Sequence, residues 1–279
     1  LMERVLSASD LFSTFVSMSG GIMDPQGPSA RGNAQILVNA LGIMLVIVLP
    51  TILTTLAIAW WFRATNKKAT YLPNWAHSGH IELIIWGIPL LVVLFLSGVI
   101  WIGSHDLDPN QPLAGEAPPI EVQVVSLDWK WLFIYPEQGI ASLNDLVLPA
   151  GKPVHFSLTS GTVMNMFFVP QLGSMIATMN GMVTHLHLQA DHTGDYYGQS
   201  AQFSGAGFSD MNFMLHAVSQ DEFSRWVSRT RLMSSGLDET AYSQLARKME
   251  AAKPAYYGFV AHDLFNKIST RQLMVESAH

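Results

Sequence analysis

From Ile36 to Phe62 the chain reads ILVNALGIMLVIVLPTILTTLAIAWWF, a run of 27 residues without a charged side chain. As an α-helix this run is about 40 Å long, which is enough to cross the ~30 Å hydrocarbon core of a bilayer with some tilt. A second apolar run extends from Leu83 to Ile102. Each run contains one proline, Pro50 or Pro89, which membrane helices tolerate. The two runs predict a transmembrane helix hairpin, with helices at about 36–62 and 81–102.

The composition agrees with a membrane protein. Only 13% of the 279 residues are charged, and the mean hydropathy is positive. The net charge of −6 and the absence of basic blocks argue against nucleic acid as a partner. The chain has no cysteine, which excludes disulfides, iron–sulfur clusters and thiolate zinc sites.

The charges that flank the two runs predict their orientation. The connection Arg63–His80 carries three basic residues and no acid, whereas the flank Gly103–Glu121 carries four acids and no Lys or Arg. Cytoplasmic loops of membrane proteins carry the excess of Lys and Arg. The hairpin loop is therefore predicted to be cytoplasmic, and both termini are predicted to lie on the opposite side of the membrane.

The rest of the chain divides by composition. Residues 1–33 form an N-terminal segment on the side opposite to the cytoplasm, in which the weakly apolar run Leu11–Gly21 is interpreted as a possible signal remnant. Residues 34–103 hold the helix hairpin. Residues 104–119 are rich in proline and form a stiff linker.

A period-two alternation of apolar residues begins after the linker, for example at Val154, Phe156 and Leu158. Residues 120–218 are therefore predicted to form a β domain, and the alternation leaves a sandwich and a barrel both open. After Val218 the pattern becomes helical, starting with the capping box Ser219–Glu222. Residues 219–279 are predicted to be a helical extension that packs on the β domain as a lid or partner surface.

Three segments of the β domain carry a family resemblance. They are VMNMFFVP at Val163–Pro170, SAQFSGAGFSDM at Ser200–Met211 and the aromatic strand DWKWLFIYPE at Asp128–Glu137. The first two resemble the copper-binding strand and loop of cytochrome oxidase subunit II, and the third resembles its aromatic strand. The resemblance covers roughly residues 34–218, and it implies a cupredoxin-type Greek-key barrel.

The resemblance also implies where copper ligands would stand. Ser200 and Ser204 occupy the positions of the two bridging cysteines, and Asn165 and Phe208 those of the two histidines. Met211 matches the methionine, and Gln202 matches the residue that offers its backbone carbonyl.

A paired copper centre needs soft thiolates and imidazoles, because these ligands hold copper in both redox states. Serine, asparagine and phenylalanine side chains do not replace them. The sequence is therefore similar to the quinol-oxidising branch of the family, the cytochrome bo-type ubiquinol oxidases.

This resemblance implies a function without a metal or cofactor in this chain. The chain would be the non-redox subunit II of a proton-pumping ubiquinol oxidase that reduces oxygen to water. The haems, the oxygen-reducing copper and the ubiquinol site are expected in a partner subunit I. The other expected contacts are further subunits and the lipid bilayer, with no role for cytochrome c.

Three features allow more than one interpretation. In copper-containing relatives a tryptophan of the aromatic strand receives electrons, but we interpret Trp129 and Trp131 as packing of the β domain on its membrane-side partner. Glu82, at the start of the second apolar run, could simply stabilise a helix N-terminus. The resemblance places it instead at the mouth of the K-pathway, a proton route into subunit I.

His185 and His187 are two residues apart on one predicted strand, and His192 and His216 could approach them. Imidazoles in this arrangement can bind zinc or copper. Solvated surface histidines are the more frequent outcome, because a pair of histidines lacks the further ligands of a tight site. The alternative function is therefore a membrane-tethered periplasmic metal-binding or assembly module that uses this face.

Overall fold

The computed structural model describes residues 21–70, 72–113, 118–249 and 251–273. The predicted signal remnant up to Gly20 and the last residues of the extension lie outside this part of the chain. The chain divides into two compact units. One unit is Ala34–Leu107, and the other combines the segment up to Asn33 with the chain from Asp108 onward.

Two long helices carry the apolar runs. Helix α1 comprises Pro28–Trp61 and helix α2 comprises Gly79–Asp106. The most apolar stretch of each helix is long enough to cross a membrane, and none of it is buried within the chain. Both helices extend beyond the apolar runs, since hydropathy marks only the part that crosses hydrocarbon. Proline is favourable in a first helical turn, which fits the start of α1.

The β domain contains ten strands. In chain order they are β1 Ile120–Leu127, β2 Lys130–Tyr135, β3 Ile140–Leu143, β4 Asp145–Pro149, β5 Val154–Ser160, β6 Asn165–Phe168, β7 Ile176–Thr178, β8 Thr184–Leu188, β9 Gly194–Ser200 and β10 Asn212–Val218. The extension follows with α3 Gln220–Arg231, β11 Gly236–Leu237, α4 Glu239–Leu245, β12 Ala255–Tyr257, β13 Phe259–Val260 and α5 Leu264–Ser269.

The strands form two main sheets with the orders β12-β3-β2-β1-β5-β8 and β4-β10-β9-β6-β7. Most neighbours are antiparallel, but β1 pairs with β5 and β4 pairs with β10 in parallel. These parallel pairs join strands that are distant in sequence, because parallel neighbours need a crossover connection. The predicted fold class is confirmed: two apolar helices precede a cupredoxin-type β barrel, and a partly helical extension follows it.

Aromatic side chains from both sheets fill the space between them. The ring centroids of Trp131 and Phe167 lie 5.4 Å apart, and those of Phe133 and Phe213 lie 5.1 Å apart, both edge to face. Phe167 and Phe213 stack with centroids 5.2 Å apart. Such geometries add to the free energy gained by burying the rings. The inner core is therefore held mainly by apolar packing, to which the Tyr135 hydroxyl adds a hydrogen bond to the Val147 carbonyl at 3.1 Å.

The C-terminal extension covers the outer face of the first sheet. Leu132 and Ile134 of β2 are buried there against Tyr242 of α4 and Phe265 of α5. Strand β12 also pairs with β3 and lengthens the sheet. The expected packing on the barrel is thus observed, but the short strands β11 to β13 are not predictable from periodicity, which needs longer segments. The predicted capping box forms, with Ser219 as the N-cap of α3.

We expect Phe213→Ala to lower the free energy of unfolding by about 3–5 kcal/mol, because it leaves a cavity between the two sheets. Phe259→Ala is the matched control, since the Phe259 side chain is 61% exposed. The control should cost about 0.5 kcal/mol or less. Chemical denaturation of the full chain in detergent measures both values. Equal losses in the two variants would contradict the assignment of the inner core.

The alkaline limit of stability should depend on Tyr256. Its hydroxyl donates to the Asp145 carboxylate, and burial, followed by this carboxylate, raises its pKa from 10.0 to about 12. Because the folded-state pKa is the higher one, the resulting stability is complete below the unfolded pKa. It is lost as the pH rises through the window between them. Denaturation of Tyr256→Phe across this window should show a shallower loss than wild type. An unchanged slope would contradict this role.

Candidate functional site

The positions that correspond to copper ligands lie at one end of the second sheet. Asn165 begins β6, Ser200 ends β9, and the two strands pair. The loop from β9 to β10 follows, with a short 3₁₀ turn at Phe208–Asp210 before Met211. Asn165 and Ser200 are 1% and 5% exposed, so their polar groups must find partners inside the protein.

These polar groups bond to one another. The Ser200 hydroxyl donates to Asn165 Oδ1 at 3.2 Å, and it also lies 3.4 Å from the Gln202 carbonyl oxygen. The Asn165 amide donates to the Val163 carbonyl at 3.3 Å. The structure therefore brings Asn165, Ser200 and the backbone of Gln202 together, whereas the Gln202 side chain is exposed. Neutral hydroxyl and amide groups of this kind do not fit a paired copper centre.

The other positions form a second contact group. Ser204 Oγ lies 4.0 Å from the Met211 sulfur, and Met211 belongs to the inner core. Phe208 packs edge to face on Phe203, with ring centroids 5.7 Å apart. The Ser200 amide donates to the Met211 carbonyl at 3.1 Å, and this bond closes the base of the loop. The loop is therefore shaped by backbone bonds and side-chain packing.

Trp129 covers this loop, a role that the sequence analysis does not identify. Its indole N–H donates to the Ser204 carbonyl at 3.2 Å. A Cβ added at Gly207 would lie 2.5 Å from the Trp129 ring, and Gly205 has φ +120, so only glycines allow the ring to lie this close. Trp131 is fully buried in the inner core. Both tryptophans therefore pack within their own barrel. In the sequence, Gly205 and Gly207 are the residues that indicate the close approach of Trp129.

The predicted histidine face exists and includes a residue that the sequence analysis omits. Across β1, β5 and β8, Glu121 pairs with His155, and His155 pairs with His187. His155 Nδ1 lies 2.7 Å from the Glu121 carboxylate, and His155 Nε2 lies 3.1 Å from His185 Nδ1.

Other contacts limit the chemistry of the histidine face. Burial lowers the pKa of His187, and the Pro109 carbonyl, which accepts from its ring, opposes this effect. His216 does not join the histidine face, because it lies in the other sheet and bonds to Asp195 at 2.5 Å. Within the described part of the chain, no group of three or more His, Asp or Glu side chains is arranged to hold a metal ion.

Glu82 lies in the first turn of α2. Its carboxylate is 2.6 Å from His77 Nδ1, and the Glu82 side chain is 52% exposed. His77 belongs to the segment that precedes α2, so the loop itself supplies the partner of this acid. The pair thus places two groups that can carry a proton at the cytoplasmic end of the helix.

The fold and the loop together define a class, the subunit II domains of haem–copper oxidases. Residues 122–218 match the family model "Cytochrome C oxidase subunit II, periplasmic domain". Residues 233–274 match the "COX Aromatic Rich Motif".

Three similar proteins are ubiquinol oxidase subunits, which identifies the branch of this class. Ubiquinol oxidase subunit 2 of Acetobacter aceti is 49% identical over 273 residues, which are 96% of this chain and 88% of that protein. Cytochrome bo(3) ubiquinol oxidase subunit 2 of Pseudomonas aeruginosa is 43% identical over 250 residues, 90% of this chain and 76% of that protein. The corresponding subunit of Buchnera aphidicola subsp. Baizongia pistaciae is 40% identical over 256 residues, 91% of this chain and 90% of that protein.

The chain belongs to the quinol oxidase subunit 2 family of the haem–copper oxidases. It is a subunit of an oxidoreductase complex of the bacterial inner membrane, with its β domain on the periplasmic side.

The loop should accept copper once its ligands are restored. Asn165→His, Ser200→Cys, Ser204→Cys and Phe208→His together supply imidazoles and thiolates, and Met211 is already present. We expect the fourfold variant to bind copper and to show purple mixed-valence absorption, whereas the wild type should neither bind copper there nor change its melting temperature when copper is added. A folded variant without this absorption would show that the loop geometry does not suit copper.

Proposed function

We propose that this chain is the non-redox subunit II of a proton-pumping ubiquinol oxidase. Electrons would pass from ubiquinol to haems and copper in the partner subunit I, without cytochrome c and without a redox centre in this chain. The observation that supports this proposal most is the polar contact of Ser200 with Asn165. Those two positions would hold copper ligands in an electron-accepting subunit, and here they satisfy each other.

The two helices support a role as a scaffold for the partner subunit. The most apolar windows of α1 and α2 are unburied within the chain, so lipid and other subunits must cover them. The barrel, with its outer face closed by the C-terminal extension, would then be held at the periplasmic surface as a docking domain.

We propose that Glu82 lies at the entrance of the K-pathway and delivers protons toward subunit I. Its carboxylate is half exposed and bonded to His77, so it can exchange protons with the cytoplasm. An acid at the membrane boundary also avoids most of the ~2.5–3.5 kcal/mol cost of a charge at mid-bilayer.

The competing explanation for Glu82 is structural. A carboxylate in the first turn stabilises a helix by roughly 0.3–1 kcal/mol through the helix dipole. The structural explanation requires no proton transfer, so turnover rates of Glu82 variants distinguish it from the proposed proton uptake.

The alternative function, a periplasmic metal-binding or assembly module, would use the histidine face. Glu121, His155 and His185 form a hydrogen-bonded chain there. A chain of this kind is satisfied without a metal, so no observation favours the alternative. It would be favoured if the purified chain were monomeric, haem-free and loaded with metal.

Purification through a tag on this chain tests the main proposal. We expect haem-bearing subunits to co-purify and the preparation to oxidise ubiquinol with oxygen as the acceptor. The optical spectrum should show haem without the absorption of a paired copper centre. A monomeric, haem-free product would contradict the proposal.

Replacement of Glu82 tests the proton-uptake role. We expect Glu82→Ala and Glu82→Gln to slow quinol oxidation several-fold per haem, because neither side chain can carry a proton. Glu82→Asp should give an intermediate rate, since its carboxylate is withdrawn by one methylene. Haem content should stay unchanged in all three variants.

Asp106→Asn is the matched control, because Asp106 is an acid at the opposite, periplasmic end of the same helix. It should keep the wild-type rate. Wild-type rates in all three Glu82 variants would mean that Glu82 is structural and that proton uptake begins elsewhere.

A further inference from the structure

A cavity of about 840 Å³ lies at the cytoplasmic end of the helix pair. The end of α1 and the loop that follows it form its walls, which include Trp61, Arg63, Asn66, Lys68, Leu72 and Trp75. Asn66 holds the loop in shape, because its amide donates to the Trp61 carbonyl at 2.6 Å and its Oδ1 accepts from the Lys68 backbone at 3.1 Å. The cavity is thus built by a loop with a defined local structure.

The charge of this cavity is positive. Arg63 and Lys68 line it, and no Asp or Glu occurs between Arg63 and Glu82. Among the residues that the structure describes, neither cation takes part in an ion pair, because every salt bridge lies elsewhere in the chain. The Arg63 guanidinium lies over the Trp60 ring at 4.7 Å, and its Nε donates to Thr65 Oγ1 at 3.0 Å. These contacts orient the guanidinium without neutralising it.

Aromatic and aliphatic side chains complete the walls. Trp61 ends α1, Trp75 is 60% exposed, and Ile58 and Leu72 add aliphatic surface. Tryptophan is enriched where membrane and water meet, because its ring is apolar and its N–H is polar. Basic pockets beside membrane helices on the cytoplasmic side suit the head groups of anionic lipids.

We propose that this cavity binds one anionic phospholipid, with the phosphate at Arg63 and Lys68 and the glycerol and upper acyl chain against Trp61, Ile58 and Leu72. This binding site is independent of the proposed proton uptake at Glu82.

A phosphate group could also come from a small soluble anion. The cavity favours the lipid for two reasons. Its walls combine two cations with a larger apolar surface, which a small hydrated anion would leave unused. It also opens beside a helix whose apolar side chains are unburied within the chain, so that they face lipid or other subunits.

Retained lipid in the purified oxidase tests the proposal. We expect native mass spectrometry to show one tightly bound anionic phospholipid that is absent from the double variant Arg63→Gln, Lys68→Gln. Lys67→Gln is the control, since it removes one positive charge from the same loop but Lys67 does not line the cavity. The control should retain the lipid. Equal lipid counts in all three proteins, or equal losses in the control and the double variant, would overturn the proposal.

A second measurement uses only the wild-type protein and does not depend on the assembly of any variant. Oxidase stripped of lipid by detergent is titrated with phosphatidylglycerol, phosphatidylcholine or inorganic phosphate. We expect phosphatidylglycerol to bind at least tenfold more tightly than phosphatidylcholine, and millimolar inorganic phosphate to compete only weakly. Equal affinity for the two lipids would overturn recognition of the anionic head group. Full competition by inorganic phosphate would show an anion site rather than a lipid site.

Discussion

Strand β2 is buried on both of its faces, and the rest of the β domain depends on this constraint. Trp131, Phe133 and Tyr135 point into the space between the sheets, whereas Leu132 and Ile134 point outward under the extension. One face alone would leave a row of large apolar side chains in water. The barrel and the C-terminal extension therefore belong to one compact unit, in which the extension covers the outer face of the first sheet.

Packing on the aromatic core also explains how the loop between β9 and β10 keeps its shape without metal. In a copper-binding relative, coordination bonds would hold the strand and the loop together. Here Ser200 and Asn165 share a hydrogen bond, Met211 is anchored in the core, and Trp129 covers Gly205 and Gly207. Each of these contacts is weaker than a metal–thiolate bond. The base of the loop, however, packs on the aromatic core, and Met211 is the ligand position that belongs to this core.

The sequence predicts those parts of the molecule in which a residue pattern is compatible with a single kind of secondary structure and burial. A charge-free run long enough to span a bilayer predicts α1 and α2, and strict alternation predicts the buried Val154, Phe156 and Leu158 of β5. The pattern is ambiguous where a segment is buried on both faces, so periodicity does not indicate that the extension covers β2. The residue pattern does not predict contacts between distant residues, such as Trp129 on Gly207 or His155 beside His185, because these contacts depend on strand register.

The loop between the helices keeps its fixed cations apart from the Glu82–His77 pair. Arg63 and Lys68 lie in the loop after the end of α1, whereas His77 lies just before α2 and Glu82 lies in its first turn. An acid close to Arg63 would form an ion pair and lose affinity for protons, because a neighbouring cation favours its charged form. The partner of Glu82 is instead His77, whose Nδ1 lies 2.6 Å from the carboxylate. The separation of the fixed cations from the Glu82–His77 pair therefore keeps the proposed lipid site and the proposed proton entrance from neutralising each other.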